Sequence, residues 1–346
     1  MSAPIFIRAC QGQPTEQVPI WIMRQAGRYL PAYQAVRANH DFLTMCHTPE
    51  LSAEVTLQPV REFGFDAAII FSDILLPLEP MGIDVQFAEG KGPRLSPQIR
   101  TRQDIEKLLD VDFDPATCFL GKTLKMVRGE LDPGKALIGF AGAPWTMACY
   151  AVEGMGSRDY AAIKQMMNTD PDALHALLDK LTAALIAWLR MQLDAGADAF
   201  QVFDSWADAL APMDYREFAL PYLRRIFEAL RPMGKPAILF SKDGGAFAEE
   251  NCQLPIDVLA VDWRVDLAAL RQRQVNYGPG AYQGNLDPLA LLGSREILLQ
   301  KAERILSENA GMPGYIFNLG HGITPPTPVE NVRALVDFVH AFRSGT

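Results

Sequence analysis

Short apolar runs separated by longer stretches of helical periodicity make up most of the chain. Eight runs rich in Ile, Val, Ala and Phe lie at 19–23, 67–71, 136–140, 199–203, 237–240, 258–261, 281–283 and 315–318. Each is too short for a helix, and most lack the alternation of a half-exposed strand, so they predict parallel strands covered on both faces. The clearest helix lies between the third and fourth runs. Asp170 is placed as its N-cap and Pro171 in its first turn. Leu174, Leu177, Leu178, Leu181, Leu185, Trp188, Leu189 and Leu193 then share one face, and Gly196 is placed to end it. Strands alternating with helices imply right-handed βαβ units, and eight of them predict an α/β fold, a closed (β/α)8 barrel of the TIM type with its cleft at the C-terminal ends of the strands. No composition shift, linker or repeat marks a second domain, so residues 1–346 read as one domain with long insertions after the second and third strands.

Composition narrows the partners rather than the fold. With 49% hydrophobic and 21% charged residues the chain has an ordinary soluble globular balance, which excludes disorder, collagen and coiled coil. Its 41 acidic against 32 basic residues argue against a general nucleic-acid or anionic-membrane binder, so an anionic ligand has to be caught by local arginines. The five cysteines are odd in number and scattered without a CxxC pair, as expected of reduced thiols in a cytoplasmic protein. Pro4 and Arg8 break the short apolar patch at the start, so neither a signal peptide nor an anchor is read there, and no apolar run is long enough for a membrane span.

Several familiar motifs fail on context. Residues 116–123, ATCFLGKT, fit a relaxed phosphate-binding loop, but VDFDP precedes them where a buried strand should. Phe119, Leu120, Thr123, Leu124 and Val127 read instead as one face of an amphipathic helix. Gly244 and Gly245, after Ser241, Lys242 and Asp243, are too common a turn to carry an anion site. Cys46 and His47 are adjacent without ligand partners at metal-binding spacing, and no GxSxG nucleophile elbow is present.

The informative residues stand just after the apolar runs, where a barrel places its chemistry. The first run leads into Arg24, Gln25, Ala26, Gly27 and Arg28; two guanidiniums four positions apart can converge on an anion, although single arginines more often form surface ion pairs. Asp73 follows the second run beside Ser72, either as a site carboxylate or as a cap. Gly142, Pro144 and Tyr150 follow the third, and Tyr150 could equally be core. Asp204 and Ser205 follow the fourth, where Ser205 could N-cap a helix. His321, between Gly320 and Gly322, follows the last and is exposed to a ligand or is a simple turn residue. Taken together they predict a mouth with arginines, an acid, a phenol, a hydroxyl and an imidazole, which suits a barrel enzyme acting on a polycarboxylate.

The segment PIWIMRQAGRYLPAY at 19–33 resembles the N-terminal signature of the uroporphyrinogen decarboxylase family, and GFAGAPWT at 139–146 resembles its second. TPELSAEVTLQP, IIFSDILLPLEPMG, CYAVEG, QVFDSWA, LFSKDGG, QGNLDP and NLGHGITPPTPVENV are similar as well, so the likeness covers nearly the whole chain. That resemblance implies a homodimeric barrel that removes the four acetate carboxylates of uroporphyrinogen III, without metal or organic cofactor, to give coproporphyrinogen III. It implies substrate-binding roles for Arg24, Gln25, Ala26, Gly27, Arg28, Arg37, Asp73, Tyr150, Ser205 and His321, with Asp73 at the macrocycle centre stabilising positive charge on a protonated pyrrole. The pyrrole would then serve as the electron sink that other decarboxylases obtain from a cofactor. Two rival readings are zinc-dependent corrinoid methyltransferases of the same superfamily, whose HxC motif is replaced here by LFSKDGG, and a non-catalytic tetrapyrrole carrier that would not need Asp73.

Overall fold

The computed structural model describes residues 3–88, 92–242, 244–274 and 278–343. Among the described residues nine strands follow one another: β1 (Ala67–Ile69), β2 (Asp84–Ala88), β3 (Gly92–Ser96), β4 (Ala136–Gly142), β5 (Ala199–Asp204), β6 (Ala237–Ser241), β7 (Val258–Val261), β8 (Ala281–Leu286) and β9 (Tyr315–Leu319). Seven of them form one curled parallel sheet in the order β1-β4-β5-β6-β7-β8-β9, with helices packed outside it. The architecture is the TIM-type barrel that the alternation of apolar runs and helices implies. The residues of β4 through β9 are buried along their whole length, as parallel strands covered on both faces must be.

The first apolar run departs from expectation. Residues 19–23 do not form a strand; Ile20 alone makes a parallel bridge, to Phe317. Pro19 has no N–H to give, and side chains take three of the other four: Ile20 N–H donates to Asp66 Oδ2 at 2.8 Å, Ile22 N–H to Gln25 Oε1 at 3.1 Å and Met23 N–H to Asn318 Oδ1 at 3.0 Å. The segment nevertheless joins the two sheet edges. The Pro19 carbonyl accepts from Phe317 N–H on β9, and the Ile20 carbonyl accepts from Asp66 N–H just before β1, both at 2.9 Å.

Large side chains pack both faces of the sheet, Phe200 against Phe227 of the outer helix Leu220–Leu230. Trp21, Phe65, Phe200, Phe240 and Phe317 are fully buried. A polar chain threads through them, with Trp21 Nε1 donating to Gln283 at 2.8 Å and Gln283 donating to Gln201 at 3.3 Å. The helix Pro171–Asp194 runs as its pattern requires: Asp170 accepts from Ala173 N–H, and Gly196 ends it at a φ of 112°. The insertion after β1 contains an antiparallel hairpin of β2 and β3 and then the helix Phe119–Glu130, which begins after a loop rather than a strand. The insertion after β4 contains the helices Pro144–Glu153 and Ala161–Thr169.

Candidate active site

The loop after residues 19–23 is a tight, over-determined turn. Gln25 N–H donates to the Ile22 carbonyl at 2.9 Å, and Arg24 holds a φ of 64°, a left-handed conformation that costs a side-chain-bearing residue roughly 1–2 kcal/mol. Gln25 supports that turn. Its side chain is fully buried, accepting from Ile22 N–H and donating to the Ala67 carbonyl on β1 at 3.1 Å, while its own carbonyl accepts from Tyr29 Oη at 2.9 Å. The Gln25 amide is thus committed to the barrel, and Arg24 is the residue the turn presents. Ala26 and Gly27 are half-buried behind it, and Arg28 is exposed.

Asp73 stands four residues beyond β1, half-buried. Its Oδ1 accepts from Leu75 N–H at 2.9 Å, so it also fixes its own turn. Surrounding protein pushes its carboxyl up to about 6; that hydrogen bond and the nearby Arg24 pull it back, and Glu79 adds to the rise. Glu79 in turn is held by His47 Nε2 at 2.8 Å. The same charges reach Tyr150, whose phenol is raised by burial and by Asp73 and lowered by Arg24. Arg24, Asp73 and Tyr150 therefore share one electrostatic neighbourhood. Arg28 and Arg37 form a second group around Tyr33, whose phenol is raised by burial while both guanidiniums pull it back; Arg37 Nη1 also donates to the His40 carbonyl at 2.9 Å.

The far wall is aromatic. Phe140 on β4, Phe203 on β5 and Phe240 on β6 follow one another at centroid distances of 5.8 and 5.9 Å, and His321 meets Phe240 edge-on at 6.0 Å. Gly322 allows that loop to close against the first one, because a β-carbon there would collide with the Arg24 side chain. Tyr150 stacks on Trp206 at 3.8 Å, and Ser205 lies half-buried in the same turn without capping the short helix that follows. Among the described residues neither the Tyr150 hydroxyl nor the Ser205 hydroxyl has a protein hydrogen-bonding partner, and no acid lies within ion-pair reach of Arg24 or Arg28.

The model of the family described as Uroporphyrinogen decarboxylase (URO-D) matches residues 1–342. The chain belongs to the uroporphyrinogen decarboxylase family. A relative from Syntrophotalea carbinolica named uroporphyrinogen decarboxylase is 48% identical over 335 residues, covering 97% of this chain and 96% of its own. Another from Geobacter metallireducens, of the same name, is 47% identical with 97% of each chain covered. Among solved structures, a methyltransferase from Methanosarcina mazei superposes with a TM-score of 0.79 over 98% of both chains at 19% identity, which speaks for the fold alone.

Within this uroporphyrinogen decarboxylase family member, the strand ends carry more than the site residues read from the sequence. Trp206 is the platform under Tyr150, a pairing that linear spacing does not reveal. At the end of β7, Asp262 is fully buried and Arg264 lies over the Trp263 ring at 4.1 Å, with Nη1 3.5 Å from Asp262. The signal there was the one used elsewhere, polar residues directly after an apolar run. Asp243, in the segment replacing the methyltransferase HxC, lies outside the described residues. Cys46 is buried and its thiol is pushed up by burial and by Asp73, the reverse of a thiolate metal ligand. Among the described residues no three His, Cys, Asp or Glu side chains are grouped to hold a metal ion.

Proposed function

We propose that this chain decarboxylates the four acetate side chains of uroporphyrinogen III to methyl groups, releasing four CO2 and giving coproporphyrinogen III. One observation carries the reading: a half-buried carboxylate, Asp73, shares the barrel mouth with Arg24 and Tyr150, in a chain 48% identical over 97% of its length to a relative named uroporphyrinogen decarboxylase. The likeness of names and the geometry support each other, since a porphyrinogen offers pyrrole N–H donors at its centre and carboxylates around its rim.

In the proposed reaction a proton adds to the α ring carbon next to the one that bears the acetate, and the pyrrole becomes an iminium-like cation with positive character on the acetate-bearing carbon. The carbon–carboxylate bond then breaks, its electron pair neutralises the ring, and CO2 leaves. A proton added to the resulting exocyclic methylene and one lost from the ring carbon leave a methyl group, so each carboxylate is exchanged for hydrogen. Asp73, ionised, accepts hydrogen bonds from the pyrrole N–H groups and stabilises the cation where it develops. Arg24, Arg28 and Arg37 grip peripheral carboxylates, each charge-assisted bond contributing about 1.5–3 kcal/mol. Tyr150, Ser205 and His321 donate to other substrate oxygens, while Gln25, Ala26 and Gly27 shape the turn that presents Arg24.

The working form is read as a single-domain protomer in a homodimer with facing clefts, acting in the cytoplasm; family likeness supports this, and sedimentation tests the dimer. No helix among the described residues is long and apolar enough to cross a membrane. The function is tested by anaerobic incubation with chemically reduced uroporphyrinogen III, then oxidation and chromatography that counts carboxylates. Stepwise loss from eight to four is expected with a chelator present and nothing added, and no loss from folded protein would overturn the reading.

A further inference from the structure

The end of the GFAGAPWT segment takes hold of one residue on the next strand's loop. Trp145 Nε1–H donates to the Trp206 carbonyl at 3.0 Å, and Thr146 Oγ1 accepts from Trp206 N–H at 3.2 Å. Tyr150, one helical turn beyond Thr146, lies on the Trp206 indole at 3.8 Å with 29° between the planes, and Tyr160 meets the same indole edge-on at 5.3 Å. Both backbone groups and the ring of Trp206 are thereby tied to the helix Pro144–Glu153.

The Thr146 hydroxyl has one proton, and it goes to Asp204 Oδ1 at 2.8 Å. Hydrogen bonds therefore run in one direction, from Trp206 N–H through the threonine hydroxyl to the carboxyl group, and each polarises the next. Asp204 is the last residue of β5 and is fully buried, and its Oδ2 has no hydrogen-bonding partner among the described residues. Burial pushes its carboxyl up to about 7, with Asp208 adding to the rise and Thr146 opposing it. An acid held in such surroundings is costly, and the two residues that follow it are Ser205 and Trp206.

We propose that Asp204 and Thr146 are positioning residues: together they set the Ser205–Trp206 turn and, through the Trp206 indole, the ring of Tyr150, so that the Ser205 hydroxyl and the Tyr150 phenol face the bound substrate. The proposal rests on the substrate-facing reading of Ser205 and Tyr150 given above. Thr146→Val keeps the shape and removes both hydrogen bonds, whereas Thr146→Ser keeps them.

The test is steady-state decarboxylation of uroporphyrinogen III by full-length folded variants, together with near-ultraviolet circular dichroism of the stacked Tyr150–Trp206 pair. Thr146→Val is expected to lower kcat/KM about ten-fold and to weaken the aromatic band, with Thr146→Ser restoring both. If Thr146→Val does not fold, Thr146→Ala breaks the same chain and carries the same expectation. A variant that melts at lower temperature but keeps wild-type kcat, KM and aromatic spectrum would reduce the chain to a structural tie and overturn the proposal. Tyr150→Phe and Ser205→Ala separate the two levels. If these two match wild type, the reading of the site fails; if they are impaired while Thr146→Val is not, the site stands and the positioning role falls.

Discussion

Asp73 and Asp204 are the same residue type in comparable places, each at the C-terminal side of a barrel strand and each pushed up by burial, to about 6 and about 7. Their surroundings differ. Asp73 still reaches solvent, has Arg24 in its field and spends one oxygen on its own turn, leaving a face toward the mouth. Asp204 is sealed, and among the described residues the one partner of its carboxyl group is a hydroxyl that anchors the neighbouring turn. Position in the fold and a raised pKa therefore do not distinguish an acid left open toward the mouth from an acid that holds the wall. Exposure and the identity of the partner do.

The comparison breaks most readily at Asp73. Asp73→Asn keeps the shape and loses the charge, and kcat is expected to fall by roughly a hundred-fold or more; Asp204→Asn, which keeps an acceptor for Thr146, is expected to stay within about three-fold in kcat. Equal kinetic losses in the two variants would erase the distinction. Next in size is Arg28→Lys, which preserves charge but loses the planar fork. A drop of about ten-fold in kcat/KM is expected, carried mainly by KM, and unchanged kinetics would remove Arg28 from the site.

The pH dependence sharpens the contrast further. If the ionised form of Asp73 is required, kcat/KM falls as pH drops through about 6, and that acid limb disappears in Asp73→Asn. Asp204 acts on stability instead. Its folded-state pKa of about 7 lies above the unfolded value of 3.8, so the native state binds the extra proton between them and stability declines as pH rises through that window. Asp204→Asn, having no charge to bury, is expected to gain in Tm relative to wild type from pH 5 to pH 8, the smallest effect of the set. A difference in Tm that is flat with pH would place the ionisation of Asp204 elsewhere.

Seven of the eight apolar runs are strands, because a buried parallel strand announces itself by composition alone. Residues 19–23 mislead for a reason invisible locally: three of their N–H groups are taken by the side chains of Asp66, Gln25 and Asn318, of which Asp66 and Asn318 lie far away in the sequence. The β2–β3 hairpin went unread because it lies inside an insertion with no long apolar run of its own. At the mouth, Arg24, Asp73, Tyr150, Ser205 and His321 are legible as polar residues following apolar runs, and the structure gathers their loops at one end of the barrel. Gln25 was grouped with them by adjacency in the motif, yet its amide is buried against β1. Trp206 could not be found from spacing, since its contacts with Trp145, Thr146 and Tyr150 depend on how two loops pack.

The central claim is that the negative charge of Asp73 drives decarboxylation. The direct test is a carboxylate count after anaerobic incubation of uroporphyrinogen III with wild-type protein and with Asp73→Asn, at equal occupancy by substrate. The account predicts coproporphyrinogen from the wild type and almost unchanged octacarboxylate from the variant despite binding. Four-carboxylate product formed by both at similar rates would contradict it.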